Sequence, residues 1–489
     1  MSIKYPSQGI TDVSPGLDVD LLGDATNPLV KLLSVGKGDD DVGVRFLEEF
    51  VEVAWSTSVL TSLKRVGNEY HMDRRFHFLT LVYLTYYMPR VRVKKEYESV
   101  IRIGWSNNIT HQMTGHVSLN IGNDVVDSLD VIILDAYQQR LVRNGFGEVY
   151  DQSVGNLPHL IGGSLNQADR SWHTVLPACI LNQHLPFGFT KHPRYAIPLV
   201  VIFSNPNNNP TAAFTIRPTL EISKLLRVIQ KQEDGSWALL NGTSVETDIY
   251  NYIEIEDPYN NQRGNTSIPA PQMMAYYSKV PTDQAIWFQN NQGLGSSKQY
   301  EHIIDTMVSY HSDVAKDRLK IDIASQGTTI VRQMIFMAQN MDAAGTHDFS
   351  NYTNRVGESE LGWPPIATVS LVNNSRTVYD NLPATHFEIM DQFYRAVSAA
   401  RARGIYSISF CYDLNTVKAD VGKVIRGTSH LTVNLHSGNP YDVIIGNRNG
   451  SDINYMLCLV LIMYRHLVYL PEAPYVRINP IFIPETNGV

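Results

Sequence analysis

Residues 185–203 read LPFGFTKHPRYAIPLVVIF, and three prolines decide how this aromatic stretch can be built. Pro186, Pro193 and Pro198 lack a backbone donor and fix φ, so no helix runs through them. The segment is expected to be extended and kinked, with Pro186 and Pro193 shaping the approach. Pro198 then takes the first position of a buried strand, Leu199–Phe203, where a missing donor is tolerated. Phe187 and Phe189 read as packing residues against a sheet rather than as a ligand site.

Outward from this stretch, period-two alternation recurs. Val117, Leu119 and Ile121 alternate with Ser118 and Asn120, and Leu319, Ile321 and Ile323 with Lys320 and Asp322. Tyr406, Ile408, Phe410 and Tyr412 enclose Ser407, Ser409 and Cys411, while Leu431, Val433 and Leu435 enclose Thr432 and Asn434. Each pattern predicts a strand with one buried and one wet face, in antiparallel sandwiches rather than βαβ units. Tyr455–Tyr464, YMLCLVLIMY, is about half the ~20 residues of a membrane-spanning helix and reads as a core strand. The basic run Arg90–Lys95, RVRVKK, reads as a solvated strand face. Two helices are predicted as packing devices on this β-scaffold. Phe46–Leu63 has glutamates in its first turns and apolar spacing near 3.6, and Phe387–Arg401 follows the capping-box spacing of Thr385 and Glu388. Met390, Phe393, Val397 and Ala400 line one face of the second.

The chain of 489 residues is longer than the ~250–300 residues at which a single core stops growing, so more than one domain is expected. Hydrophobic residues at 43% and charged residues at 18% describe an ordered globular protein. A net charge of −8 argues against a protein whose main work is gripping nucleic acid, because phosphate neutralisation needs clustered Lys and Arg. Residues 1–13, MSIKYPSQGITDV, lack the charged and apolar regions of a secretory signal, so the chain is expected to stay in the cytosol. Cys179, Cys411 and Cys458 lie scattered among apolar neighbours and imply neither a disulfide framework nor a zinc site.

No catalytic, cofactor-binding or metal-ligating residue is assigned. Gly36–Asp41 and Gly293–Lys298 are rich in Gly, but neither contains GxxxxGK[ST]. The closest histidine spacings, His71 with His77 and His184 with His192, match no metal signature. There is no GxSxG elbow and no Cys–His arrangement. Sequons at Asn108, Asn241, Asn265, Asn351, Asn373 and Asn449 are expected to be unmodified. The long Asn, Gly and Pro loops at Ser204–Pro210, Asp257–Pro271, Gln289–Lys298 and within Gly345–Pro365 are expected to carry contacts.

Several stretches, in order, resemble the double jelly-roll major capsid proteins of large nucleocytoplasmic double-stranded DNA viruses, of iridovirus or phycodnavirus type. LPFGFTKHPRYAIPLVVIF resembles that family's PFWF segment, short turn and ALPL, with Gly188 where the family often has Trp. Ser99–Gln112 followed by Val117–Asp127 resembles its early strand pair, Arg332–Asn340 the strand opening its second jelly roll, and Asp348–Tyr352 follows at about the family's distance. Tyr406–Leu414 resembles its "Y-S-x-x-F" strand.

The resemblance implies two consecutive eight-stranded antiparallel jelly rolls with few short helices and long loops. Residues 1–64 would form an N-terminal arm and helix, 65–281 the first roll, 282–304 a linker and 305–489 the second roll. It implies a structural protein without cofactors that forms homotrimeric, pseudo-hexameric capsomers tiling an icosahedral virion, assembled in the host cytoplasm. Neighbouring trimers, minor capsid and penton proteins, and an internal membrane touched through the base are its expected partners. A β-sandwich carbohydrate-binding protein or glycosidase is the alternative, motivated by the aromatics and long loops.

Overall fold

The computed structural model of the protein describes residues 58–280 and 300–479, apart from segments 143–144, 193–194, 206–209, 260–261, 264–265, 325–328, 358–361, 392–403, 412–421, 426–427, 437–452 and 471–472. The strands of a first sandwich are β1 (Ser58–Ser62), β2 (Glu69–His71), β3 (Phe78–Met88), β4 (His116–Ile121), β5 (Asp124–Asp130), β6 (Cys179–His184), β7 (Ala212–Arg217) and β8 (Gln272–Ser278). Those of a second are β9 (Tyr300–Ala315), β10 (Arg318–Ala324), β11 (Thr329–Asn340), β12 (Ile366–Asn373), β13 (Arg376–Pro383), β14 (Ile405–Ser409), β15 (Thr428–Leu435) and β16 (Tyr455–Tyr469).

In the first sandwich one sheet runs β1-β8-β3-β6 and the other β2-β7-β4-β5. In the second the sheets run β9-β16-β11-β14 and β10-β15-β12-β13, so adding eight to each number of the first order gives the second. All of these pairings are antiparallel. This paired four-strand order, with its long crossovers between sheets, is the jelly roll, and it occurs twice. Crossover connections of the first roll add small sheets of their own. In one of them Arg90–Val93 sits in register with Ile253–Glu256. Arg90 reaches Glu256 at 3.8 Å and Arg92 is exposed, while Val91 and Val93 are buried. The basic run is thus the wet face that its alternation predicts.

The core explains why β16 is apolar at nearly every position. Leu457, Leu459 and Leu461 point into the second sandwich, whereas Cys458, Val460 and Ile462 belong to a core continuous with the first. Its neighbour β11 divides in the same way, with Met334, Phe336 and Ala338 turned inward and Ile335 and Met337 turned to the first roll. One sheet therefore closes its own sandwich and also receives the neighbouring roll.

Several local expectations are corrected. Leu199–Ile202 is one helical turn rather than a strand, and Pro198 ends the two-residue strand Ile197–Pro198 paired to β3. A short apolar run does not distinguish strand from helix, and all four residues of the turn are buried, which is what their side chains require. Pro193 lies outside the described residues. Of the predicted helix Phe46–Leu63, residues 58–62 are the edge strand β1, so the first roll begins before residue 65; residues 46–57 lie outside the described residues. Of Phe387–Arg401, the structure describes a π-helical turn, His386–Met390, in which Phe387 is buried, but Met390 is 44% exposed rather than on a covered face. Phe393, Val397 and Ala400 lie outside the described residues. The stretch 282–304 already contains the start of β9 at Tyr300. In β14, Ser407 and Ser409 are as buried as Tyr406 and Ile408, because its second face is covered too: Ile405 joins the core shared with the first roll, Asp391 accepts the Ser409 amide at 3.0 Å and Gln333 donates to the Ser409 hydroxyl at 3.1 Å.

Truncating a side chain at the centre of the doubly packed sheet removes buried area and leaves a cavity. Leu459→Ala is expected to cost about 3 kcal/mol, against less than about 0.5 kcal/mol for Val125→Ala on an exposed position; chemical denaturation of the two variants checks the contrast.

Candidate functional site

The most elaborate constellation of polar side chains lies where the rolls meet. Helix α1 (Val131–Arg140) begins directly after β5, and Asp130 caps it by accepting the Ile133 amide at 2.9 Å. The helix carries Asp135 into the junction. Its Oδ1 accepts from His111 Nδ1 at 2.6 Å and Asn108 Nδ2 at 3.0 Å, and its Oδ2 accepts from the Tyr352 hydroxyl of the second roll at 2.5 Å. His111 Nε2 meets the Tyr150 hydroxyl at 3.1 Å. Burial pushes the Tyr352 phenol far up, with the Asp135 carboxylate adding to the effect, and burial raises Tyr150 as well. Both hydroxyls stay protonated and available as donors.

This His–Asp–Tyr set has the partners of an acid–base device but not its setting. His111 and Asp135 are sealed at 0% and 1% side-chain exposure, so no substrate reaches them. The arrangement satisfies a buried carboxylate, which would otherwise be costly. Among the described residues no group of three His, Cys, Asp or Glu side chains could hold a metal ion.

Further contacts tie the rolls. Asp305 of β9 pairs with Arg332 at 2.6 Å and with Lys191 of the first roll. Arg227 donates to the Gly357 carbonyl at 2.9 Å and lies 3.7 Å from Asp348, which also accepts from Asn107 at 3.2 Å. Arg465 donates to the Val126 carbonyl at 2.6 Å, and Arg140 to that of Ile405. Burial pushes the Arg140 guanidinium down to about 9, against the pull of Glu388 and Asp391, so it is still charged at neutral pH.

No protein-family model matches the chain. Among curated proteins, it is 19% identical over 466 residues to the major capsid protein of Frog virus 3 (isolate Goorha), spanning 88% of this chain and 91% of that one. A shorter match, 29% identical over 107 residues and 22% of this chain, is to the major capsid protein of Trichoplusia ni ascovirus 2c. Its fold is similar to the Faustovirus major capsid protein, with a TM-score of 0.57 at 8% identity over 84% of this chain and 90% of that one. It is also similar to VP54 of PBCV-1, with a TM-score of 0.56 at 12% identity over 86% and 96% of the two chains. The fold is the double jelly roll of these capsid proteins, and the chain resembles them along most of its length.

In this double jelly roll the opening aromatic stretch lies at the junction. Phe187 and Phe189 stack at 5.8 Å and pack on Phe214, inside the core shared by both rolls. The Gly188 amide donates to Asp127 at 3.1 Å. A Cβ at Gly188 would collide with the Asp305 carbonyl oxygen and stand 2.9 Å from Ile304 Cδ1, so glycine lets the rolls approach and a tryptophan has no room here. Segment Asp348–Tyr352, singled out in sequence without a role, supplies Asp348, Asn351 and Tyr352 to the junction. This part of Gly345–Pro365 therefore turns inward rather than outward. Asn108 and Asn351 are buried, and Asn241 caps a helix through the Thr243 amide. The histidines considered as ligands are spread apart in their contacts: His71 faces Glu69 at 3.5 Å, His77 accepts the Val280 amide at 3.1 Å, His184 packs on Tyr137 and His192 on Tyr195. Sequence reasoning missed α1; Asp130 ahead of an apolar turn and Arg140 in the last turn were its signals.

Two outcomes follow from this geometry. Gly188→Ala is expected to destabilise by about 1–3 kcal/mol through overpacking, measured by thermal unfolding. Burial holds the Asp127 carboxyl up to about 6, so the folded chain binds its proton more tightly than the unfolded chain does. Its contribution to stability therefore falls as pH rises from about 4 to about 6, by up to roughly 3 kcal/mol. Asp127→Asn should remove that slope in denaturation curves taken across this range.

Proposed function

We propose that three copies of this chain associate into a trimer whose six jelly rolls make a pseudo-hexagonal block, and that such blocks tile an icosahedral virion shell. The observation that carries this reading is the duplication itself: two rolls of identical strand order, fused through one continuous core. Closed symmetry makes each contact recur, so weak contacts between blocks add up across a lattice. Contacts inside a trimer need to be large and apolar enough to be permanent. The net charge of −8 suits a shell wall better than a nucleic-acid grip. Residues 1–40, which lie outside the described residues, are the candidate arm for gripping neighbours or minor capsid and penton proteins; the base would face an internal membrane, and assembly would take place in the host cytoplasm.

Hydrodynamic mass tests the reading directly. A stable species near three times 55.1 kDa is expected, and a monomer with affinity for sugars would overturn it in favour of a carbohydrate-binding sandwich. Deleting residues 1–40 should leave that trimer intact while impairing lattice formation, seen by electron microscopy of assembly reactions.

A further inference from the structure

The contact between the two rolls is head-to-tail. The outer face of β9-β16-β11-β14 is the receiving surface, and α1, which follows β5, is the inserting element. Ile132, Ile133 and Leu134 of α1 are buried, as are Ile335, Met337, Cys458, Val460 and Ile462 of the receiving sheet. Because the strand order repeats, each half of this contact exists a second time in the chain.

The second receiving surface is the outer face of β1-β8-β3-β6. Across it Leu60, Tyr276 and Leu81 lie in register, Met274 lies beside Tyr83, and Ile180 beside Tyr87. None of these four strands contains Asp, Glu, Lys or Arg, in a chain in which 18% of residues are charged. A sheet face meant for water carries charge, as Lys320 and Asp322 do on β10. Here Leu60 is 42% and Ile180 52% exposed. The second inserting element is the turn His386–Met390, which follows β13 as α1 follows β5. It leaves Ile389 59% and Met390 44% exposed, where the equivalent helix of the first roll is covered.

We infer that the open pair closes between copies: the His386–Met390 segment of one chain seats on the outer β1-β8-β3-β6 face of the next. This deepens the trimer reading and rests on it. A head-to-tail contact closes into a ring when its rotation allows. Three chains supply six rolls and six such contacts, alternately within and between chains, all built on one plan. The occupant is a second copy because the matching element is present in the chain itself, after the fifth strand of its roll; Phe387 anchors it in its own core, while Ile389 and Met390 stay exposed among the described residues.

The test is light-scattering mass of the full chain together with Ile180→Asp, Ile389→Asp and Val66→Asp, the last at an exposed position on the short strand paired with β2. The expected result is a trimer for the wild type and for Val66→Asp, and monomers that keep the wild-type circular dichroism for the other two. A trimeric wild type with either Ile180→Asp or Ile389→Asp still trimeric overturns the inference alone, as does dissociation by Val66→Asp as well. A monomeric wild type overturns the trimer reading itself. A photo-crosslinking benzoylphenylalanine at position 389 gives an independent readout. Crosslinks to β1, β3, β6 or β8 of another copy support the contact, and crosslinks elsewhere overturn it.

Discussion

A sheet covered on both faces can hold charge only where a partner meets it, as Arg332 meets Asp305, and β9-β16-β11-β14 lives under that constraint. Its side chains alternate between two destinations rather than between core and water, so Leu459 and Val460 are equally hydrophobic for different reasons. Everything else at the junction accommodates this. The first roll presents an apolar helix, the backbone at Gly188 gives up its side chain, and charged groups that enter the boundary, such as Asp135 and Arg227, arrive with partners. Buried ion pairs and carboxylates contribute little net stability against hydrophobic alternatives, but each is directional. Apolar packing brings the rolls together; the polar contacts fix the angle at which they meet.

Much of this was legible in the residues. Alternation at Leu319–Ile323 gave a strand whose burial follows the pattern, that at Leu431–Leu435 gave a strand in which Thr432 is buried as well, and the fold class followed from such runs and the prolines around Leu199. What escaped was set by tertiary surroundings. Ser407 and Ser409 look like a wet face because small hydroxyls suit water, yet they are also compact enough for a crowded boundary. Leu199–Ile202 carries β-branched residues and still forms a helical turn, since short runs are decided by where their side chains must go. Val59 and Leu60 fit a helical spacing, but pairing with Tyr277 and Tyr276 made them an edge strand.

The junction itself was nearly invisible in sequence. Its participants, Asn108, His111, Asp135, Tyr150 and Tyr352, are spread over both rolls with no local spacing to announce them. Only the family resemblance drew attention to Asp348–Tyr352 and to Gly188, and in each case without a role. A buried His–Asp pair would pass for chemistry in a cleft; its complete enclosure makes it a strut. This is a general hazard in reading β-proteins, where a satisfied polar core and an active site use the same residue types.

The shared core has a kinetic side. Domains joined by a linker and a wet interface open separately, whereas here Ile304, Val460 and Tyr352 sit in the same cluster as Phe187 and Leu119. Unfolding either roll would strip cover from the other, so the two should melt as one cooperative unit. A partly unfolded chain would bare the long strand β16, with ladder groups and leucines ready to pair wrongly. Coupling the rolls keeps that species rare, which matters for a chain that, as proposed, accumulates at high local concentration before it is locked into a shell.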